Sequence, residues 1–335
     1  MDLRTRYLGL ELKNPLIAGA SPITHELDVA RRLEDHGAAA IVMHSLFEEQ
    51  IERNERSRHH HLSAWEDTHA EARSYLPEPS RYLFGPDAYL EQLRKLRAAV
   101  NIPVIASLNG VSEGGWVHYA KLMQDAGAHA LELNVYYVAT DPNESGAEVE
   151  ARYLRVLMAI RAEVSIPIAI KLSPFFSAPV RMAKEFGEAG AQGLVLFNRF
   201  YQPDLDLEGL GVRPTLGPAG PDVLLLRLRW LAATFGHTKA DLAATGGVQS
   251  GRDALKALMA GANAVQLATA ILHHGPAHLG KVLAEVKEFG ETHEYESITQ
   301  MIGSLSLARC PDPAAYERAN YVKTLQSWRH GTFHA

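Results

Sequence analysis

Lys171 and Asn134 stand where the sequence most clearly indicates chemistry. Lys171 follows the apolar run IPIAI and precedes LSP, so we expect it to leave the end of a buried strand. A lysine is seldom buried without a partner, and a cation there could hold an anionic cofactor or the negative charge of a reduced ring. Asn134 ends the run LELN, and Tyr137 follows three residues later in a polar loop. Tyr137 is therefore either a catalytic group or a residue that fills the position of one.

Similar polar residues end the other apolar runs. Each of them alone is explained by a hydrogen bond to neighbouring backbone, because a strand end leaves backbone groups to satisfy. As a set they are predicted to converge on one rim, which favours a binding site. The set consists of Ser21, His44, Ser45, Asn109, Asn198 and the pair Gly246–Gly247.

The segment TGGVQSGRDALKALMAGANAVQLATAI (245–271) has the features of a phosphate site. Gly246 and Gly247 allow a ligand to approach the backbone closely. A helix is predicted to begin near Ser250 with its first amides free for an anion. The last strand then offers Thr269 and further backbone donors. Any phosphate-bearing ligand would satisfy this pattern.

These residues need a framework, and eight apolar runs alternating with amphipathic segments provide one. Runs rich in Val, Ile, Leu and Ala, separated by helices, predict a parallel sheet covered on its outside. Eight such units over roughly 280 residues favour an α/β fold of the (β/α)8 TIM-barrel type over an open sheet. We expect one domain over residues 1–335, with 291–335 as a C-terminal helical extension. The predicted strands lie at 14–21, 39–45, 102–110, 130–136, 166–174, 193–199, 241–248 and 264–272.

Two connections are long: residues 46–86 and residues 200–221. Loops of this length are uncommon unless they are functional or disordered. Both leave the face of the barrel that holds active sites. Arg199, Tyr201 and Gln202 indicate either a lid that pairs with an anionic substrate or simple packing of the loop on the barrel.

The histidine-rich run RHHH (58–61), with His69, raises the possibility of a metal site. Adjacent histidines in a loop rarely fix a coordination geometry, so we expect no metal and favour a solvated loop or a substrate contact.

Composition narrows the class of protein. The 335 residues, 47% of them hydrophobic, can bury a large core, and a net charge of −6 without a long basic stripe argues against nucleic acid. Cys310 is the only cysteine, which excludes an internal disulfide and an iron–sulfur cluster held by this chain's own thiolates. The sequence contains no signal-peptide-like start and no run of ~18 apolar residues. We therefore expect no membrane association and a cytoplasmic location.

With these residues placed, the chain resembles the dihydroorotate dehydrogenases over about residues 1–300. It is most similar to the soluble class 1 type, and within it to the branch of dihydroorotate dehydrogenase-like proteins. The segment 245–271 is the most specific part of the match. The other matching segments are NPLIAGASP, ASLNG, LELN, IAIKLSP and LFNR.

The resemblance implies a barrel that binds FMN. In it, Lys171 would face the N1–C2=O edge of the flavin and stabilise the negative charge of the reduced ring. Asn134 and Asn198 would contact flavin or substrate, and Arg199 lies next to them. The remaining implied cofactor contacts are Ala20, Ser21, Ser45 and Asn109 at the ring, and Gly246, Gly247, Ala268 and Thr269 at the phosphate.

The departures from the family pattern concern the substrate. Family members carry Asn-x-Ser-Cys-Pro-Asn, or Ser for Cys, after the fourth strand, and the Cys or Ser removes a proton from dihydroorotate. This chain has NVYYVATDPN, with Tyr137 at the base position. A second family lysine aligns with His44, and a substrate-binding Asn-x-x-Gly segment is missing. Tyr137, with an ordinary pKa near 10, and His44, nearer neutrality, are the candidate bases beside Lys171.

Three functions stay open on these residues. The first is an FMN-dependent dehydrogenase that oxidises a dihydropyrimidine-like molecule by hydride transfer to flavin. It would pass electrons to a soluble acceptor or redox partner, and it would form the homodimer expected of class 1 relatives. The second is a flavin-binding paralogue with a changed substrate or an accessory role. The third is a flavin-free phosphate-binding barrel, an isomerase or synthase, in which Lys171 acts as a nucleophile or oxyanion partner.

Overall fold

Eight parallel strands close into a barrel in the computed structural model, which describes residues 1–52, 85–112, 114, 116–200, 202–213, 220 and 222–327. The predicted (β/α)8 fold is confirmed. The barrel strands in order around it are β3 (Leu16–Ala18), β4 (Ala40–Phe47), β5 (Val104–Asn109), β6 (Ala130–Asn134), β7 (Ile168–Lys171), β8 (Gly193–Leu196), β11 (Asp241–Thr245) and β12 (Ala264–Leu267).

Helices follow the barrel strands and cover them, because each helix carries an apolar stripe against the sheet. Two N-termini are fixed by capping boxes, one between Ser145 and Glu148 and one between Ser250 and Asp253. The helices are α1 (Leu27–Asp35), α2 (Pro86–Ala99), α3 (Trp116–Asp125), α4 (Gly146–Glu163), α5 (Pro179–Glu188), α6 (Asp222–Thr234), α7 (Gly251–Ala260), α8 (Thr269–His274) and α9 (Ala277–Thr292).

Two short antiparallel hairpins lie outside the barrel sheet. The first pairs β1 (Thr5–Tyr7) with β2 (Leu10–Leu12), and its turn residue Leu8 is fully buried. The Leu8 amide donates to the Asp241 carboxylate at 2.8 Å, at the first residue of β11. This hairpin therefore closes the amino-terminal end of the barrel and leaves the carboxyl end for a ligand.

The second hairpin pairs β9 (Asp204–Asp206) with β10 (Gly211–Arg213) in the predicted long loop after β8. Every residue of both strands is exposed.

The C-terminal extension is helical, as predicted, and its first part packs on the barrel. It contains α10 (Ile298–Met301), a 3-10 turn (Pro313–Tyr316) and α11 (Arg318–Ser327). The Gly303 amide donates to the Leu258 carbonyl at 3.0 Å, which ties the segment after α10 to α7. In contrast, α11 contributes no buried residue. Within the described ranges, no helix has the length and apolar character needed to cross a membrane.

Candidate active site

The carboxyl ends of the barrel strands bring polar side chains together at one height. In the sheet register Asn109 pairs with Asn134, and Asn134 pairs with Lys171. These three residues are each less than a tenth exposed. Ser45 pairs with Ser107 on the next strand, and the two hydroxyl oxygens lie 2.7 Å apart. The serine pair lies one layer deeper, at the height of Glu132, beneath the row formed by Asn109, Asn134 and Lys171.

Lys171 is anchored inside the barrel by a carboxylate. Its Nζ donates to Glu132 Oε1 at 3.1 Å, and Glu132 Oε2 accepts from Gln266 Nε2 at 2.6 Å. Glu132 and Gln266 are almost fully buried. A buried ion pair persists only where further hydrogen bonds satisfy its remaining lone pairs, and Gln266 supplies one of them. The network therefore holds the Lys171 ammonium in one orientation at the rim.

Asn134 and Asn198 are joined across the rim. Asn198 Nδ2 donates to Asn134 Oδ1 at 2.7 Å, and Asn198 Oδ1 accepts from the Arg199 amide at 2.9 Å. These bonds fix which face of each carboxamide is turned outward. Fixed amides can donate to and accept from the ring of a flavin or a substrate.

The glycine pair after β11 forms a cradle that larger residues would fill. Gly246 and Gly247 have φ of +88° and +83°. A Cβ on Gly247 would lie 2.7 Å from the Leu224 amide nitrogen, so no side chain fits there. Ala268 and Thr269 follow the neighbouring strand β12 and begin α8. Close packing against α6 thus requires glycine at these positions.

The expectation of free amides at the start of α7 is wrong for two of its residues. The Gly251 amide donates to Glu285 Oε2 at 2.6 Å, and the Asp253 amide donates to the Ser250 hydroxyl. A carboxylate already occupies this helix end, and it would repel a phosphate. A phosphate here must depend on the glycine cradle and on cations nearby.

His44 lies in an irregular stretch of β4. Between Val42 and Ser45 the register against β5 gains one residue, which is a bulge of the kind that re-aims side chains beside active sites. The His44 ring meets the rings of His25 and Tyr89 edge-on, at 5.1 and 5.2 Å. Burial, with a smaller contribution from His25, lowers the pKa of His44 to about 4. The imidazole is therefore neutral at neutral pH.

Three aromatic rings from consecutive loops stand beside the asparagine pair. Tyr136 stacks on Phe200 at 4.8 Å, and Phe175 meets Phe200 edge-on at the same distance. Phe175 is 70% exposed. Arg199 lies between Asn198 and Phe200 in sequence, and its guanidinium forms no ion pair with any described residue. The Arg199 charge is close enough to Arg227 to act on it.

Residues 2–289 match the family model described as dihydroorotate dehydrogenase. The chain belongs to the dihydroorotate dehydrogenase family. The A and B types of this family are FMN-binding oxidoreductases of pyrimidine metabolism that act on CH–CH donors. The predicted family, cofactor and enzyme class are therefore confirmed.

Individual relatives come from both types. Dihydroorotate dehydrogenase B (NAD(+)), catalytic subunit, of Geobacter sp. (strain M21) is 34% identical over 239 residues, which cover 67% of this chain and 74% of that protein. The same subunit of Methanothermobacter thermautotrophicus is 28% identical over 310 residues, covering 90% of this chain and 97% of that protein. Dihydroorotate dehydrogenase A (fumarate) of Limosilactobacillus reuteri (strain DSM 20016) is 28% identical over 307 residues, covering 88% and 94%.

The residues of the rim fit the cofactor of a dihydroorotate dehydrogenase. A fixed ammonium at Lys171 suits the electron-rich edge of a flavin ring. Gly246 and Gly247 let the backbone pack against Arg227 and Leu224 of α6, where a Cβ would collide, and their main chain is the part that would hold a phosphate. Gly19, directly before Ala20 and Ser21, approaches the Gln266 side chain in the same way, with 3.2 Å left for a Cβ. The backbone is thus close-packed both after β3, at Gly19, and after β11, at the glycine pair.

Tyr137, at the family's base position, is engaged elsewhere. Its hydroxyl donates to Glu144 Oε2 at 2.5 Å, and the Arg152 guanidinium carbon lies 4.2 Å from its ring centre. The hydrogen bond to Glu144 raises the pKa of Tyr137. Tyr137 also lines a surface pocket with Asp141 and with residues of α4 rather than with the strand ends. These contacts argue against a phenolate that removes a proton.

Sequence reasoning did not single out Glu132, Gln266 or Arg227. A signal for Glu132 was present, because a carboxylate two residues before Asn134 in a five-residue strand shares its face. The histidine run 58–61, His69 and Tyr201 lie outside the described residues. In the part of the chain that the structure describes, no three His, Cys, Asp or Glu side chains are grouped to hold a metal ion.

Proposed function

We propose that the chain is an FMN-dependent dehydrogenase that oxidises a dihydropyrimidine-like molecule. The observation that carries the proposal is the fixed Lys171 ammonium, held by Glu132 at the same height as Asn109 and Asn134. FMN, when bound, supplies the redox chemistry by accepting a hydride from a substrate CH–CH bond. The protein must then orient the substrate, exclude water and take up one proton.

The cofactor would be held by two groups of residues. Lys171 and the amides of Asn109, Asn134 and Asn198 would contact the polar edge of the ring, with Ala20, Ser21 and Ser45 along it. Phosphate would rest on the backbone of Gly246, Gly247, Ala268 and Thr269. Support for this division comes from the rim register and from the cradle geometry.

We propose His44 rather than Tyr137 as the group that takes the proton. A neutral imidazole has a nitrogen lone pair at neutral pH, and the pKa of about 4 keeps His44 in that form. The phenol of Tyr137 would have to lose a proton while its hydroxyl donates to Glu144. Tyr137 then acts as a positioning residue that anchors the loop after β6.

The substrate would combine a flat ring with a negative charge. Asn134 and Asn198 would bond the ring, and Arg199 would pair with an anionic substituent such as a carboxylate. The rings of Tyr136, Phe175 and Phe200 would form one wall of the site. A dihydropyrimidine carboxylate has this shape and charge.

The changed-substrate alternative is favoured by one observation, the Tyr137 hydroxyl at the family's base position, which is bound to Glu144. It predicts that FMN binds but that dihydropyrimidines do not reduce it. The flavin-free isomerase or synthase alternative receives no support from a family whose A and B types bind FMN.

One anaerobic titration separates these functions. Purified protein is reconstituted with FMN and mixed with dihydroorotate, or with a dihydropyrimidine that lacks the carboxylate, while visible absorption is recorded. Bleaching of the flavin band by dihydroorotate, and weaker bleaching by the uncharged analogue, supports the proposal. In Arg199→Gln this difference between the two compounds should disappear.

Other outcomes of the titration contradict the proposal. Bound flavin that both compounds leave oxidised rules out a dihydropyrimidine substrate. Protein that binds no flavin rules out the cofactor. Reduced enzyme would next be mixed with fumarate and NAD(+), since we propose a soluble acceptor or redox partner and a cytoplasmic location.

We also propose that residues 1–335 form one domain. We propose further that this domain forms a homodimer in which the β9–β10 hairpin contacts the second copy. A two-stranded hairpin is marginally stable alone, and this one exposes Leu205, Leu207, Leu210 and Val212 by 65% or more. Light scattering after gel filtration should give twice the chain mass, and Leu210→Lys should give the chain mass. Leu272→Lys, which changes a 45% exposed leucine of α8, is the control. Wild-type protein at single-chain mass would contradict the pairing.

A further inference from the structure

Arg227 is a buried arginine on α6 whose guanidinium lies behind the glycine cradle. It is 6% exposed. Nε donates to the Thr245 carbonyl at 3.0 Å, Nη1 to the Val223 carbonyl at 2.9 Å and Nη2 to the Phe197 carbonyl at 3.3 Å. The side chain therefore ties the ends of β8 and β11 together through main-chain oxygens.

This guanidinium has no carboxylate partner among the residues that the structure describes. The nearby charge that acts on it is Arg199, which has the same sign. Burial and Arg199 lower the pKa of Arg227 to about 10, so it still carries its charge at neutral pH. Charges that are buried in proteins are normally paired. The three carbonyls and the Phe197 ring, whose centre lies 5.9 Å from the guanidinium carbon, are neutral partners, so a bound anion would be the first opposite charge that Arg227 meets.

The charge of Arg227 is in contact with the cradle. A Cβ built on Gly246 would lie 3.2 Å from Nη2 and 3.4 Å from Nε. The guanidinium therefore packs directly against the Gly246 backbone, on the side where a side chain would stand. The opposite flank of the cradle, at the start of α7, carries the Glu285 carboxylate. Arg227 is therefore the cation that can offset that carboxylate.

We propose that Arg227 sets the preference of this protein for a phosphorylated flavin over the unphosphorylated one. It acts through the glycine pair, as a positioning residue that fixes the cradle and as a buried positive charge. The proposal rests on the proposed FMN function. It adds a source of selectivity at a residue that does not touch the cofactor.

The test compares FMN and riboflavin, which differ by the phosphate group. Apoprotein is titrated with each flavin, and affinity is read from the quenching of flavin fluorescence in wild type, Arg227→Met and Arg227→Lys. We expect Arg227→Met to lose on the order of 10- to 100-fold in FMN affinity, with riboflavin affinity nearly unchanged. Arg227→Lys, which keeps the charge, should retain most of the preference. Arg229→Met changes an exposed arginine on the same helix and should behave as wild type.

Several outcomes overturn the proposal. If Arg227→Met weakens both flavins equally, the residue is only structural. If Arg227→Lys, folded by circular dichroism, loses as much preference as Arg227→Met, charge is not the cause. If Arg227→Met does not fold, the proposal is decided by Arg227→Lys alone: a retained preference for FMN over riboflavin supports it, and a lost preference contradicts it. Wild-type protein that binds both flavins equally rejects the role of Arg227 and leaves the flavin function intact, whereas wild type that binds neither rejects both.

Discussion

Removing the carboxylate of Glu132 should destabilise the protein more than removing the whole pair that it forms with Lys171. The Glu132 side chain is 1% exposed and the Lys171 side chain 11%, with 3.1 Å between Oε1 and Nζ. Breaking a buried pair strands the other charge, which costs about 3–5 kcal/mol of unfolding free energy. We expect a loss in this range for Glu132→Leu.

Glu132→Gln should cost less, because most of the hydrogen bonds can survive. The new amide oxygen can still accept from Lys171. Its nitrogen can donate to Gln266 Oε1, a buried oxygen that receives no hydrogen bond from the described residues. The charge alone is then lost. We expect roughly half of the Glu132→Leu effect.

The double variant Glu132→Leu with Lys171→Met removes both charges, and it should recover much of the lost stability. Replacing a buried pair with apolar residues is often neutral or stabilising. Urea unfolding of the apoprotein, followed by both fluorescence and circular dichroism, measures each variant and tests for two-state behaviour. The losses of unfolding free energy in Glu132→Leu alone and in Lys171→Met alone are added and compared with the loss in the double variant. Agreement within about 0.5 kcal/mol would show that the two residues do not couple, and would refute the argument.

Three further predictions follow from the site. His44 binds its proton with a pKa of about 4 in the folded chain against 6.5 ordinarily, so unfolded chains bind more protons between these values. Stability should fall by about 3 kcal/mol as pH drops from 6.5 to 4, and His44→Phe should flatten that slope in acid unfolding curves. Tyr137→Phe should slow flavin reduction by much less than the roughly 100-fold expected when a catalytic base is removed, and stopped-flow absorption can measure that rate. Gly247→Ala, with a Cβ 2.7 Å from the Leu224 nitrogen, should cost about 1–3 kcal/mol by thermal unfolding and weaken FMN binding, whereas Gly146→Ala, with open space around it, should do neither.

The barrel could be predicted from sequence because local pattern and global fold agree in it. The neighbouring strands β5, β6 and β7 are short, mainly apolar runs that end in a polar residue, at Asn109, Asn134 and Lys171. Parallel strands place their carboxyl ends on one side, so the rim follows from the order of the elements. In contrast, the sequence predicts only a loop where the β9–β10 hairpin lies, since DLD and GVR carry no strong strand pattern.

The partners of the site residues could not be predicted with the same ease. Glu132 and Gln266 lie 134 positions apart, and only closure of the barrel brings them together. The occupied Gly251 amide of α7 depends on Glu285, a residue of the next long helix, whereas the Asp253 amide is occupied by the local Ser250 hydroxyl. The hydrogen bond from Tyr137 to Glu144 is local, but a pattern of residue types does not say which of several carboxylates in that loop a phenol will choose.

The two halves of the site are stabilised by different parts of the structure, and this explains how one can change without the other. Lys171, Glu132 and Gln266 bond to one another inside the barrel, and no residue of the loop after β6 takes part. Tyr137 is held by Glu144 and Arg152, outside the barrel interior. Substitutions in that loop therefore leave the Lys171 ammonium and its buried partners in position. A family member can replace its base and its substrate contacts in this way and still bind the cofactor.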